Sequence, residues 1–178
     1  MLGPGGDVII DLEKLTGSET VVSGDHRIPY RDMRGEDTPI MGHVDVAIQK
    51  SGEMYHLHAD VHGILNTFCH KCLDKTTYEL QSSFELIVQI GGERREEDQS
   101  SKEEEYIYLE KGEHEVSLDE SIYESLVVSI PMQILCRSDC KGLCPNCGAN
   151  LNREACTCEA SGDPRWDALK KLKDRFSS

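Results

Sequence analysis

The residues best suited to chemistry are cysteines. Six of the chain's eight fall between positions 136 and 158, in CRSDCKGLCPNCGANLNREACTC, and the other two are Cys69 and Cys72. Their spacings are Cys69-x2-Cys72, then Cys136-x3-Cys140-x3-Cys144-x2-Cys147-x8-Cys156-x-Cys158. Tetrahedral zinc takes four thiolates at about 2.3 Å, supplied as two close pairs from two turns. Eight cysteines divide into two such sets. Cys144-Pro145-Asn146-Cys147-Gly148 has the composition of a metal knuckle: the proline stiffens the turn, and a glycine at positive φ lets backbone N–H groups approach the sulfurs. Cys144, Cys147, Cys156 and Cys158 form the first expected metal set, closed by the loop GANLNREA. Cys69, Cys72, Cys136 and Cys140 form the second, with free thiols as its alternative. Catalytic zinc keeps an open position and usually includes histidine. All-thiolate sets therefore point to one or two structural ions.

Other chemistries have weaker support. A thiol-redox reading uses Cys69-His70-Lys71-Cys72, where cationic neighbours lower a thiol pKa. This pair lies between two predicted strands, not at the start of a helix, where the oxidoreductase motif belongs. His56, His58, Asp60 and His62 alternate along a strand about 6.6 Å apart, too far for shared chelation of one ion. They belong to a solvated face. Phosphate-loop, nucleophile-elbow, dinucleotide and metalloprotease motifs are absent. Asp139 and Asp163 lie near cysteines without a partner that makes either a general acid or base. No catalytic residue is assigned, and the expectation is a protein that is not an enzyme.

The elements that must position these thiols are legible from periodicity. Val44, Val46 and Ile48 alternate with polar residues, Ser51-Gly52-Glu53 reads as a hairpin turn, and Tyr55, Leu57, Ala59 and Val61 alternate again. After a turn at 69–74, Leu80, Ser82, Phe84, Leu86, Val88 and Ile90 share one face. This predicts a half-buried antiparallel sheet. Val8–Ile10 and Val21 suggest short strands, with a helical turn over 11–15. Two more strands are expected at 106–109 and 115–118. Ser117 and Glu120 fit a capping box, starting a helix with Ile122, Leu126, Val127 and Ile130 on one face and Pro131 at its end. A last helix is signalled by Asp163-Pro164, with Trp166, Leu169, Leu172 and Phe176 as its stripe. The fold class is α+β: an antiparallel sheet body over 1–135, barrel-like in one version, and a zinc-knuckle segment with a C-terminal helix over 136–178.

Charge limits the partners. The 178 residues carry −14. Positions 136–178 hold eight Lys/Arg against six Asp/Glu, so 1–135 carries −16. Residues 91–105, GGERREEDQSSKEEE, hold seven acids and three bases and read as a mobile acidic loop. Such a body repels phosphate backbones and attracts basic proteins. Direct RNA contact falls to the C-terminal Lys170, Lys171 and Lys173 and is not favoured. The chain has no run of about 18 apolar residues that would span a membrane, and its start lacks a secretory pattern. A cytoplasmic protein is expected.

The string Cys140-Lys141-Gly142-Leu143-Cys144-Pro145-x-Cys147-Gly148-x-x-Leu151-Asn152, followed by Cys156-x-Cys158 and Asp163-Pro164-Arg165, with Leu169 beyond, resembles the YceD family. Cys69-x2-Cys72 after a strand and the acidic middle loop fit it as well. The resemblance implies a bacterial or plastid protein needed for normal accumulation of large-subunit ribosomal RNA. Family genes commonly neighbour that of a small basic zinc-bearing protein of the large subunit. This implies a factor in large-subunit assembly that holds a basic ribosomal or assembly protein.

Overall fold

Alternating apolar and polar residues build the body. A computed structural model describes residues 7–15, 17–32, 34–91 and 105–158. In chain order the strands are β1 (Ile9–Asp11), β2 (Glu19–Ile28), β3 (Ile40–Ser51), β4 (Met54–Phe68), β5 (Lys75–Ile90), β6 (Glu105–Leu109) and β7 (Glu115–Ser117), followed by helix α1 (Asp119–Ser129). β2 to β6 form one sheet in sequence order, and β1 pairs with β7 in a separate ribbon. A 3₁₀ turn over Leu12–Lys14 follows β1, capped by the Asp11 carboxylate accepting from the Glu13 N–H. The strands near Val8–Ile10 and Val21, the Gly52-Glu53 hairpin and the strands at 106–109 and 115–118 all form as expected, though β2 runs for ten residues.

One sheet face is the core. Val44, Val46 and Ile48 of β3 stack beside Leu57, Ala59 and Val61 of β4 and Leu86 and Val88 of β5, all buried. Helix α1 packs on β5 and, more lightly, on β4, inserting Ile122 and Leu126. Val8, Ile10, Leu12, Val116 and Leu118 close the same core from the β1–β7 ribbon. Each large side chain buried here contributes about 1.5–3 kcal/mol. That outweighs the weak tendency of an 11-residue helix to form alone.

The structure departs from the sequence reading in five places. The large sheet is open and does not close into a barrel among the described residues. It is also mixed: β6 runs parallel to β5. Parallel neighbours need a connection of a dozen residues or more, which positions 91–104 supply. Of the expected acidic loop, Glu105 belongs to β6, while 92–104 lie outside the described residues. The capping box does not form. The helix starts after Leu118 with no side-chain cap, because Ser117 instead exchanges hydrogen bonds with Asp119, whose other oxygen accepts from the Val8 N–H at 2.8 Å. Asp119 thus occupies the Ser117 hydroxyl and ties the helix start to Val8, just before β1. Val127 is only half-buried, and serines 121, 125 and 129 widen the packed face, Ser125 meeting Ser82 of β5 at 3.1 Å. The expected helix from Asp163 lies outside the described residues.

Candidate metal centres

The β4–β5 connection carries the first pair of thiols. Cys69 N–H donates to the Asp74 carbonyl at 2.8 Å and Leu73 N–H to the Cys69 carbonyl at 2.9 Å, closing the turn with Leu73 at φ 61. The chain leaving α1 is fastened to this turn from both sides. His70 N–H donates to the Ile134 carbonyl at 2.9 Å, and Ile134 N–H donates to His70 Nδ1 at 3.2 Å. That fastening delivers Cys136 and Cys140. The sulfurs of Cys69, Cys72, Cys136 and Cys140 all lie within 4.8 Å of one another, with Cys69–Cys140 at 3.7 Å and Cys72–Cys136 at 3.6 Å. A disulfide needs about 2.05 Å, whereas four sulfurs at about 2.3 Å from a tetrahedral ion stand about 3.8 Å apart. Cys69, Cys72 and Cys140 are buried; Cys136 is exposed.

The second set is built on the next loop. Gly148 N–H donates to the Cys144 carbonyl at 2.9 Å and Cys144 N–H to the Ala149 carbonyl at 2.8 Å, with Gly148 at φ +74. The expected positive φ is present, and the backbone N–H groups of Cys147 and Asn146 reach the Cys144 sulfur. Cys144, Cys147, Cys156 and Cys158 have sulfurs within 4.8 Å of one another, including Cys144–Cys156 at 3.3 Å and Cys147–Cys156 at 3.5 Å. This set is more open: Cys147 and Cys158 are exposed and Cys156 is half-buried.

Side chains that spacing did not flag hold the two sets together. Leu143 N–H donates to the Lys71 carbonyl at 3.0 Å. Gly142, at φ +76, lies so close that a Cβ there would stand 3.1 Å from the same carbonyl oxygen. Asp74 accepts from Asn150 Nδ2 at 3.1 Å and Arg153 Nη2 at 2.8 Å. Asn152 Oδ1 accepts from Arg137 Nη2 and the Lys141 N–H, while its Nδ2 points at the Cys140 sulfur at 3.4 Å. Asn152 follows a leucine within the cysteine string. That placement was visible, but its role as a bracket was not.

Thiol acidity divides within each set. Burial opposes ionisation of Cys69, but the backbone N–H groups of Cys136, Cys72 and Lys71 bring it down to about 6. At Cys72 the Asp74 N–H pulls downward, yet burial and the neighbouring thiols push it up to about 12. In the other set, the N–H groups of Cys147 and Asn146 lower Cys144 to about 6, while Cys156 and Cys147 raise Cys158 to about 12. One thiolate forms readily and its neighbours then resist. A divalent cation removes that resistance, and four sulfurs leave a tetrahedral ion no open position for substrate. Either set could hold a metal ion. His56, His58 and His62 stand exposed on β4, outside both groups.

An open α+β sheet with two four-thiol sets fastened to one strand turn defines the class, a cysteine-clasped sheet protein. Residues 57–173 match the family described as large ribosomal RNA subunit accumulation protein YceD, and the chain belongs to that family. The large ribosomal RNA subunit accumulation protein YCED homolog 1, chloroplastic, of Arabidopsis thaliana is 26% identical over 164 residues, covering 79% of this chain and 50% of that protein. Its Zea mays namesake is 23% identical over 146 residues, 68% of this chain and 49% of that one. An uncharacterized protein of Mycobacterium tuberculosis is 35% identical over 57 residues, 32% of this chain and 28% of its own length. The chain thus spans about half the length, or less, of the curated relatives it matches. No solved structure matches it. No described helix is long and apolar enough to cross a membrane.

Proposed function

We infer that the protein is a non-enzymatic factor that supports accumulation of large-subunit ribosomal RNA by binding a basic ribosomal or assembly protein through an acidic surface. The observation that carries this reading is the family match over residues 57–173. The net charge of −14 supports a basic protein partner over direct contact with phosphate. Zinc is the metal that all-thiolate tetrahedral sets favour. Cys69, Cys72, Cys136 and Cys140 would hold one ion, and Cys144, Cys147, Cys156 and Cys158 the other. Both are structural: their role is to fix the segment after α1 against the β4–β5 turn.

Depleting the protein in its own cells tests the function. Large-subunit ribosomal RNA is expected to fall relative to small-subunit RNA, with basic ribosomal or assembly proteins retained on the tagged chain at moderate salt. An unchanged RNA ratio would refute the role. Metal analysis of protein purified without added zinc should find one or two zinc ions per chain, with thiols protected from alkylation until chelator is added. A reactive Cys69 in metal-loaded protein would favour the redox reading instead. RNA binding that weakens when Lys170, Lys171 and Lys173 are neutralised would favour direct contact.

A further inference from the structure

The sheet face opposite α1 is uncovered among the described residues. Odd-numbered positions of β2, β3 and β5 and even-numbered positions of β4 point to it, and the registers set them in rows. One row is Asp25, His43, His62 and Gln81; the next is Ser23, Asp45, Asp60 and Ser83; a third is Val21, Ala47, His58 and Glu85. Antiparallel sheets often leave one face to water. Three features separate this face from a merely solvated one.

The first is charge. Glu19, Asp25, Asp45, Asp60, Glu79 and Glu85 stand there against Arg27 and Lys75, six acids to two bases, a formal −4. The second is apolar surface amid that charge. Met41 and Ile64 are register partners on β3 and β4, exposed at 51% and 47%. They lie in a shallow depression of ≈ 440 Å³ that Asp25, His43, His62 and Glu79 also line. An apolar floor between carboxylates fits a lysine or arginine side chain: the methylenes lie on Met41 and Ile64, and the charged end reaches an acid. The third is the way histidines are threaded through the acids. His43 Nδ1 is 2.6 Å from Asp25 and its Nε2 3.5 Å from Asp45. His58 Nδ1 is 3.2 Å from Glu85 and its Nε2 3.5 Å from Asp60. Each of these rings bridges two carboxylates.

We propose that this face is the docking surface for a lysine- and arginine-rich segment of a partner protein, and that its histidines loosen the complex as they take up protons. The inference rests on the basic-partner reading above and assigns it a place. Phosphate-bearing ligands are disfavoured by the same charge. His43 is faced by Asp25 from β2 and His62 from β4, with Asp45 on its own strand. His58 is faced by Glu85 from β5 and Ala47 from β3, with Asp60 on its own strand. With His43, His56, His58 and His62 all protonated, the formal −4 becomes zero, and the attraction for a basic segment goes with it.

The test is a titration of the full chain with a fluorescent oligolysine peptide at about pH 8 and about pH 6, either side of the ordinary histidine pKa of about 6.5. Asp45→Asn combined with Asp60→Asn is expected to weaken binding at the higher pH about two- to thirtyfold, the range two exposed charge pairs span. Glu13→Gln with Glu124→Gln removes equal charge elsewhere and is expected to do much less. His43→Gln with His58→Gln should roughly halve the pH response, since His56 and His62 remain on the face, while keeping affinity at the higher pH. In amide shift mapping on the unmutated chain, perturbations should centre on β3 and β4. Equal weakening by the two carboxylate pairs, or shifts centred elsewhere, overturns the face while leaving a basic partner in place. Binding independent of pH overturns the role of the histidines. No binding of the peptide at all overturns both the face and the partner reading.

Discussion

Asn152 shows how much a single side chain does in the cysteine clasp. Its amide accepts from Arg137 and the Lys141 N–H and donates toward the Cys140 sulfur. Removing it strips a hydrogen bond from a thiolate and leaves the Lys141 N–H without its partner. Asn152→Ala should destabilise the clasp by about 1–3 kcal/mol and loosen metal about 10–100-fold, read by competition with a chromophoric chelator. Unchanged metal affinity would reduce Asn152 to a surface residue. His43 is a second case. The hydrogen bond that its Nδ1 donates to the Asp25 carboxylate, against slight desolvation and with help from Asp45, raises its pKa above the ordinary value. A raised pKa means the contact stabilises the fold fully below the unfolded value of about 6.5. The contribution is lost as pH rises through the folded value. A ring-proton titration should find the His43 midpoint above 6.5, and Asp25→Asn should lower it; a midpoint at or below 6.5 contradicts the geometry. The cysteines were legible because thiolate chemistry dictates number and spacing. Asn152 and Asp74 were not, because a bracket is defined by what folds against it.

At the scale of elements, the strands were legible because burial on one face leaves a period of two in the sequence, as in β3, β4 and β5. Pairing direction leaves no such mark, so the parallel β6 could not be read. The start of α1 was misread because Asp119 is bound by Val8, 111 positions away. The clasp differs from the sheet in what holds it. The main core of strands, ribbon and helix contains none of the cysteines, while Cys69, Cys72 and Cys140 form a small separate cluster with Leu135 and Leu143. A cluster that size cannot offset the entropy of ordering residues 134–158, which costs about 1–2 kcal/mol per residue. On the structural-metal reading proposed above, metal binding supplies the difference. Chelation should therefore release amide protection over residues 136–158 while β3, β4 and β5 stay protected in hydrogen exchange. Retained protection across the clasp without metal would show that packing alone suffices. Cys72→Ser, in the buried set, should cost more stability than Cys147→Ser in the exposed one, since a lost ligand beside buried thiols leaves them unsatisfied. Equal melting shifts would count against that ranking.

For the whole molecule, charge organises more than the fold does. Each thiolate-bound zinc carries a formal −2, so two filled centres would deepen −14 to −18. Lys71, Arg137, Lys141 and Arg153 sit in the loops that bear the thiols. These four cations would balance part of that charge locally. The sheet carries uncompensated acid, and one field then has two consequences of opposite sign. Self-repulsion destabilises the folded chain, so raising salt from about 0.01 M to about 0.3 M should raise the melting temperature as the Debye length falls from about 30 Å to below about 10 Å. The same screening should weaken capture of a basic partner. Calorimetry and binding across one salt series separate these effects: melting temperature up, affinity down. If affinity fell while melting stayed flat, the acids would act as a local docking patch, without a field of the whole chain. If neither moved, charge would drop out as the basis of recognition and the apolar strip of Met41 and Ile64 would have to carry it.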